Sequence, residues 1–372
     1  MPKSRIRYAV AGLGYITQVA MLPAFAGASR NSQLAALLSG DRTKLRALGR
    51  RYGVAQLGGY DDLRRLVAED LVDALYVGLP NTMHRDLVVA AGRLGVPVLC
   101  EKPLATTLAD CRAMIAATRR LPGALMTAYR LHFEPGYLAA LDAIHSGRIG
   151  KPRFFASQFS MQVRPGNIRT RAELGGGPLF DLGIYCVNAA RHVFRAEPVE
   201  VMAQLTRGAD RRFRDVEEMA QVLLRFPGGR FASFTCSLGA SDASNFQVWG
   251  VAGSVRLEQA YEMAGAKTLI VEHMSRGALK RNESRFAKLD QFAPLLLAFS
   301  AAVQDSREAA PSGKEGAADV RVLEAIFESG RRRASVRLPP LPFSGRRLSR
   351  ADASTIEAHA KPVLVRARAP SR

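Results

Sequence analysis

The chain has 372 residues, more than one hydrophobic core usually organises, so two domains are expected. Hydrophobic residues make up 48% and charged residues 23%, a globular composition, and no apolar run reaches the roughly 18–20 residues of a membrane span. The net charge of +20 invites a nucleic-acid reading, but the arginines are spread along the chain, with no dense basic block interleaved with aromatics.

The closest candidates for such a block are Arg211–Arg214, Arg331–Arg333 and the segment after Pro340, which carries Arg346, Arg347, Arg350, Lys361, Arg366, Arg368 and Arg372. They read as solvated charge, so neither nucleic acid nor membrane is an expected partner. A basic surface also attracts anionic ligands. Cys100, Cys111, Cys186 and Cys236 form no Cys-x-x-Cys pair, and no histidine stands near them at a metal spacing. They read as reduced thiols of a cytoplasmic protein, with no separable secretion signal and no metal.

The first third alternates strands and helices. Arg7–Ala11 is an apolar strand, Gly12-Leu13-Gly14 a turn, and a helix continues to about Gly27. Gln33–Leu38 is a second strand. Asp41 caps a helix ended by Gly53, and Asp61-Asp62 opens another. Asp73–Val77 is a buried strand before Gly78-Leu79-Pro80-Asn81. A helix from about His84 to Leu94 leads to strand Val96–Cys100, which ends at Glu101-Lys102-Pro103. Thr107 caps a helix, and Leu125–Tyr129 is a further strand. This alternation predicts a doubly wound parallel sheet over residues 1–128, with ligands at the C-terminal strand ends.

The opening turn has the chemistry for a dinucleotide. Gly12 permits a sharp turn and Gly14 a close approach of backbone to pyrophosphate, at the N–H groups of the helix through Tyr15 and Ile16. The third position of the Gly-x-Gly-x-x-Gly pattern is Thr17. The end of the second strand selects the cofactor: Ser39-Gly40, with Asp41 displaced and Arg42 and Lys44 next to it, suits the 2′-phosphate of NADP.

The second half predicts a helix over Pro135–Ser146, a strand over Arg153–Phe159, and a helix from Gly175-Gly176-Gly177-Pro178 to about His192. Strands are expected at Val199–Leu205, Glu217–Phe226, Arg230–Ser237, Phe246–Val251 and Ser254–Leu257, then helices at about Phe292–Gln304 and Glu315–Ser329. Residues 129–340 thus form an α+β domain with an open, mostly antiparallel sheet, and 341–372 a partly ordered basic tail.

Gly12-Leu-Gly14, Pro80-Asn81-Thr-Met-His84, Glu101-Lys102-Pro103, Tyr129-Arg130 and Gly175-Gly-Gly-Pro-Leu-Phe-Asp181-Leu-Gly-Ile-Tyr185 occur in order. With them the chain resembles the glucose–fructose oxidoreductase/inositol dehydrogenase family from about Arg5 to Leu338, closest to the branch holding glucose–fructose and aldose–aldose oxidoreductases. The resemblance implies that Lys102, Asp181 and Tyr185 carry the chemistry and that the Lys102–Pro103 bond is cis. Asp181 and Tyr185 stand at i and i+4, on one helix face. An ammonium favours a nearby phenolate, which would let Tyr185 take a hydroxyl proton. Leu79, Pro80, Asn81, His84, Glu101, Lys102 and Arg130 are expected around the cofactor. Lys102, Arg169, Asp181 and Tyr185 are expected around the sugar. Relatives often have Trp-Arg where this chain has Ile168-Arg169, which alters the substrate wall.

The implied function is oxidation of an aldose at C1 to its lactone. Either NADP(H) stays bound and a second sugar takes the hydride, or the cofactor dissociates, as in an aldose (glucose/xylose) dehydrogenase. A non-catalytic sugar or nucleotide sensor is the alternative outside enzymes. The resemblance also implies a homodimer or homotetramer through the C-terminal sheet.

Overall fold

Apolar runs such as Tyr8-Ala-Val-Ala11 and Ala74-Leu-Tyr-Val77 have no polar alternation, so both faces of these strands must be covered. A computed structural model describes residues 5–263, 265–359 and 362–371. Residues 1–4, considered above for a leader, and Lys361 and Arg372 of the basic tail lie outside the described residues. The chain divides into two compact units, each assembled from separate stretches.

The first unit comprises residues 1–130, 290–317 and 355–370. Its six strands are β1 (Ile6–Ala11), β2 (Ser32–Leu38), β3 (Gln56–Gly58), β4 (Ala74–Val77), β5 (Val98–Cys100) and β6 (Leu125–Thr127). They pair in parallel in the order β3-β2-β1-β4-β5-β6. The chain reverses direction across the sheet between β1 and β4, which opens a crevice beyond their C-terminal ends. This is the expected doubly wound sheet. Among the described residues of this unit, β3 is the strand not expected from the sequence, being too short to show a period.

The helix Ala293–Gln304 belongs to this unit, not to the second domain expected from its place in the sequence. Its Ser300 Oγ lies 2.7 Å from the Tyr8 hydroxyl and 2.8 Å from Ser32 Oγ, deep against β1 and β2. Thr355–Pro370 also packs on this unit. The segment expected as a partly ordered tail is therefore largely folded onto the protein.

The second unit comprises residues 131–289, 318–354 and 371–372. Its nine strands are β7 (Pro152–Ser160), β8 (Glu200–Thr206), β9 (Met219–Phe226), β10 (Arg230–Ser237), β11 (Ala243–Gly250), β12 (Gly253–Glu258), β13 (Lys267–Ser275), β14 (Ala278–Phe286) and β15 (Val336–Arg337). The order is β14-β13-β12-β11-β7-β10-β9-β8-β15. Only β7 and β10 run parallel, so the sheet is mostly antiparallel, as expected. Strict alternation in β9 turns Ala220, Val222, Leu224 and Phe226 inward and leaves the other face open.

The strands expected from the sequence end at Leu257, so β13 and β14 are additions. In β13 Leu269-Ile270-Val271 breaks the alternation. In β14 nearly every residue is exposed, and Lys280, Arg281, Glu283 and Arg285 give no buried face to detect. At the opposite edge β15 is only two residues long.

The helix Ile184–Phe194 lies in the core behind this sheet and carries Arg191, which is wholly buried. Its guanidinium donates to both Glu197 carboxylate oxygens at 2.7 Å and to Asp319 Oδ1 at 2.5 Å. Asn188 donates to the other Asp319 oxygen at 2.9 Å. Two buried carboxylates thus share the Arg191 cation. Replacing Arg191 with Met should destabilise the protein by about 3–5 kcal/mol, because it takes a charge partner from each of them. Urea unfolding followed by circular dichroism measures this, and an unchanged midpoint would refute the role given to the cluster.

Candidate active site

The turn after β1 is built by close backbone approach. Gly12 has φ +90°, and a Cβ there would stand 2.4 Å from the Gly78 carbonyl oxygen at the end of β4. At Gly14 a Cβ would meet nothing within 4 Å, so the open side of the turn is available to a ligand. Leu13 is buried, while Gly14, Tyr15 and Ile16 are half-buried at the helix N-terminus. Backbone N–H groups and the helix dipole there suit a pyrophosphate. The residues fit a dinucleotide.

Thr17, in the third glycine position, is fully buried and begins a π-helical turn, Thr17–Met21. A Cβ on Gly78 would come within 2.7 Å of its Oγ1. The missing glycine of the motif is compensated by a glycine on the neighbouring strand end. Gln18, also buried, donates from its side chain to Leu13 O at 2.9 Å and braces the turn.

Beyond β2, Ser39 is buried and its Oγ accepts from Asp41 N at 3.1 Å, while Gly40 is exposed. Asp41 Oδ1 caps the helix Arg42–Tyr52 by accepting from Thr43 N at 3.0 Å and Lys44 N at 3.1 Å. The bond from Lys44 N holds this carboxyl below the ordinary aspartate range. Arg42 is exposed and Lys44 half-buried beside it.

Leu79, Pro80 and Asn81 form the half-buried turn after β4. His84 is fully buried. Its Nδ1 lies 3.0 Å from Pro103 O and 3.2 Å from Leu104 O, and its Nε2 3.0 Å from Leu79 O. The ring therefore ties the turn after β4 to the turn after β5. Burial pulls its pKa down, against the opposing effect of the three carbonyls. Glu101 is buried, accepts from the Tyr76 hydroxyl at 3.0 Å and from Lys102 N at 3.3 Å, and has its pKa raised by burial. Lys102 is half-buried, and the Lys102–Pro103 bond is cis, as the resemblance implies. Arg130 is buried and donates to Gln291 Oε1 at 2.5 Å.

In the second unit Leu179–Gly183 forms another π-helical turn before the α-helix from Ile184, in place of the single regular helix expected from the sequence. A Cβ on Gly176 would stand 2.6 Å from Arg169 O, so the glycine run lets the chain fold back on Arg169. Gly177 N donates to the same carbonyl at 2.9 Å. Arg169 consequently grips Asp181 with both arms, at 2.5 and 3.2 Å. Arg171 instead pairs with exposed Glu173 at 2.6 Å. Tyr185 is 8% exposed, its ring edge-on to Phe159 at 5.7 Å and tilted against Tyr261 at 6.0 Å.

A Rossmann sheet with a glycine turn at its switch point and a charged set at its strand ends defines a dinucleotide-dependent oxidoreductase. The chain belongs to the GFO/IDH/MocA family. The model of the oxidoreductase family with an NAD-binding Rossmann fold matches residues 6–129, and that of the GFO/IDH/MocA C-terminal domain matches residues 137–256. The chain is 29% identical to a D-xylose 1-dehydrogenase [NADP(+)] of Haloarcula marismortui, over 90% of this chain and 93% of that protein. It is 31% identical to a dTDP-3,4-didehydro-2,6-dideoxy-alpha-D-glucose 3-reductase of Streptomyces violaceoruber, over 86% and 93%. The crystal structure of aldose-aldose oxidoreductase from Caulobacter crescentus complexed with glycerol superposes with a TM-score of 0.82 at 33% identity, covering 90% of this chain and 100% of that one.

The two glycines of the turn should respond differently to substitution. Gly14→Val should leave the unfolding midpoint unchanged and weaken dinucleotide binding at least about 10-fold, since the new side chain fills ligand space. Gly12→Ala should destabilise the fold itself. Calorimetric titration and thermal melts separate the two outcomes, and unchanged binding in Gly14→Val would place the cofactor elsewhere.

Proposed function

We propose that the protein is an NADP-dependent sugar oxidoreductase that oxidises an aldose at C1 to its lactone. The observation that carries this reading is the set Lys102, Asp181 and Tyr185, each in its motif, in a chain that matches the aldose-aldose oxidoreductase fold along that protein's full length. The choice of NADP is supported by Ser39, Arg42 and Lys44 after β2 and by the NADP named for the xylose dehydrogenase relative.

When bound, the nicotinamide supplies a hydride acceptor for the C1 hydrogen. Tyr185 takes the proton of the C1 hydroxyl as the carbonyl forms, and its packed ring fixes the direction from which the phenol approaches. Lys102 supplies a positive charge that favours the phenolate and hydrogen-bonds a sugar hydroxyl. Asp181, held in orientation by Arg169, accepts from a second hydroxyl, and Arg169 stands with it on the sugar side. His84 and Glu101 act as positioning residues for the turns that carry Leu79 and Lys102. Tyr185→Phe and Lys102→Ala should each lower kcat for D-glucose or D-xylose by about 100-fold or more, with NADP⁺ affinity little changed. Steady-state assay of NADPH formation checks this, and full turnover in both variants would overturn the assignment.

The fate of the cofactor is read from the purified protein. Stoichiometric NADP(H) released on denaturation, with turnover that needs a second sugar, supports a ping-pong exchange between two sugars. Turnover that needs added NADP⁺ supports a dissociable-cofactor dehydrogenase.

We assign the open face of the nine-stranded sheet to self-association. Exposed Met202, Leu223, Phe231 and Phe154 lie on adjacent strands of that face, and Phe154 stacks on Trp249 at 4.4 Å. Phe154→Glu/Phe231→Glu should convert a dimer or tetramer to monomer in analytical ultracentrifugation. A wild-type monomer would sink this assignment. Among the described residues no helix is long and apolar enough to cross a membrane, and the four buried free cysteines suit a reducing cytoplasm.

A further inference from the structure

The C-terminal segment lies against the cofactor turn of its own unit. Gln18 holds the main chain of Val365 by two hydrogen bonds: its Nε2 donates to Val365 O at 3.0 Å, and its Oε1 accepts from Val365 N at 2.8 Å. The same Nε2 donates to Leu13 O, so one buried amide joins the pyrophosphate turn to the C-terminal segment. Arg51, near the end of the helix that Asp41 caps, donates to Val363 O at 2.5 Å. These contacts set the next residue, Arg366, in a left-handed backbone conformation, φ +46°. Its guanidinium lies 3.3 Å from Asp41 Oδ1, while its side chain stays 65% exposed. A guanidinium has five N–H donors, and this contact uses one.

Asp41 is the acidic residue just beyond β2. An acid in that region selects NAD by accepting from the ribose 2′-hydroxyl and repels a 2′-phosphate. Here its Oδ1 is already committed to two backbone N–H groups and to Arg366. We propose that Arg366 is a specificity-determining residue for the dinucleotide: it neutralises Asp41 and donates to the 2′-phosphate together with Arg42 and Lys44. Residues 362–366, tied to Gln18 and Arg51, form a clasp over the adenosine end that slows release of the cofactor. The inference rests on the NADP reading above and assigns a binding role to a segment outside both family-model matches.

The test uses the full-length protein freed of nucleotide, with 2′,5′-ADP and 5′-AMP as calorimetric probes that differ only in the 2′-phosphate. Wild type should prefer 2′,5′-ADP. Arg366→Ala should lose roughly 10-fold or more of that preference, with 5′-AMP affinity held within about twofold. Adding Asp41→Asn to Arg366→Ala should restore part of the preference. If Arg366→Ala keeps the preference, or loses both ligands equally, the Arg366 assignment falls and the NADP reading stands. If wild type shows no preference, both fall. For the clasp, Val365→Pro removes the N–H given to Gln18 and should speed NADPH release severalfold in stopped-flow fluorescence. An unchanged release rate overturns the clasp and leaves the Arg366 test intact.

Discussion

The close approach of the Gly12 backbone to the Gly78 carbonyl is the constraint on which the cofactor half of this protein depends. It occurs where β1 and β4 end side by side and the chain begins to fill the sheet in the opposite direction. Only a residue without a side chain can turn there, and the turn points helix N–H groups into the crevice. The same tightness shapes its surroundings. Thr17 finds room only because Gly78 has no Cβ, and Gln18 locks the turn through Leu13.

The buried polar groups around the Rossmann strand ends are each held by another element: Glu101 by Tyr76, His84 across two turns, and Arg130 by Gln291. In the second unit the half-buried Asp181 is gripped by Arg169 in the same way. Such bonds keep side chains in one rotamer before any ligand arrives. In this architecture, short glycine runs and two π-helical turns place the backbone, and long side chains from neighbouring turns then fix the chemistry. The second π-turn carries Asp181 and leads into the helix of Tyr185, where an extra residue per turn re-aims the side chains of the next turn.

Much of this is legible in the sequence. Strands that are buried on both faces or strictly alternating announce themselves, so β1, β4, β9 and β10 can be read nearly to their ends. The elements that escape have no local signal. β3 is three residues long and β14 lacks a buried face. The helix Ala293–Gln304 reads as a helix in any context, but its place against Tyr8 depends on a partner almost 300 positions away. For His84 the sequence cannot show that both ring nitrogens lie beside carbonyl oxygens of two different turns. The residues near Arg366 look like solvated charge, since a basic segment with no hydrophobic period gives no sign of where it docks.

The two ends of the nine-stranded sheet carry a consequence for the behaviour of the chain in a crowded cell. An unpaired strand edge is a template for another chain, and nine strands in one open sheet leave two such edges. Here one edge is β14, crowded with Lys280, Arg281, Glu283 and Arg285, and the other is the two-residue β15. Docking a foreign strand on the first would set charges against it, while at the second β15 covers only Glu200 and Val201 of β8 and Ser329 Oγ takes the Ala203 N–H beyond them at 2.9 Å. Copies of the protein are thereby steered away from open-ended strand addition, the route to fibrils, and any meeting through this sheet is left to its face.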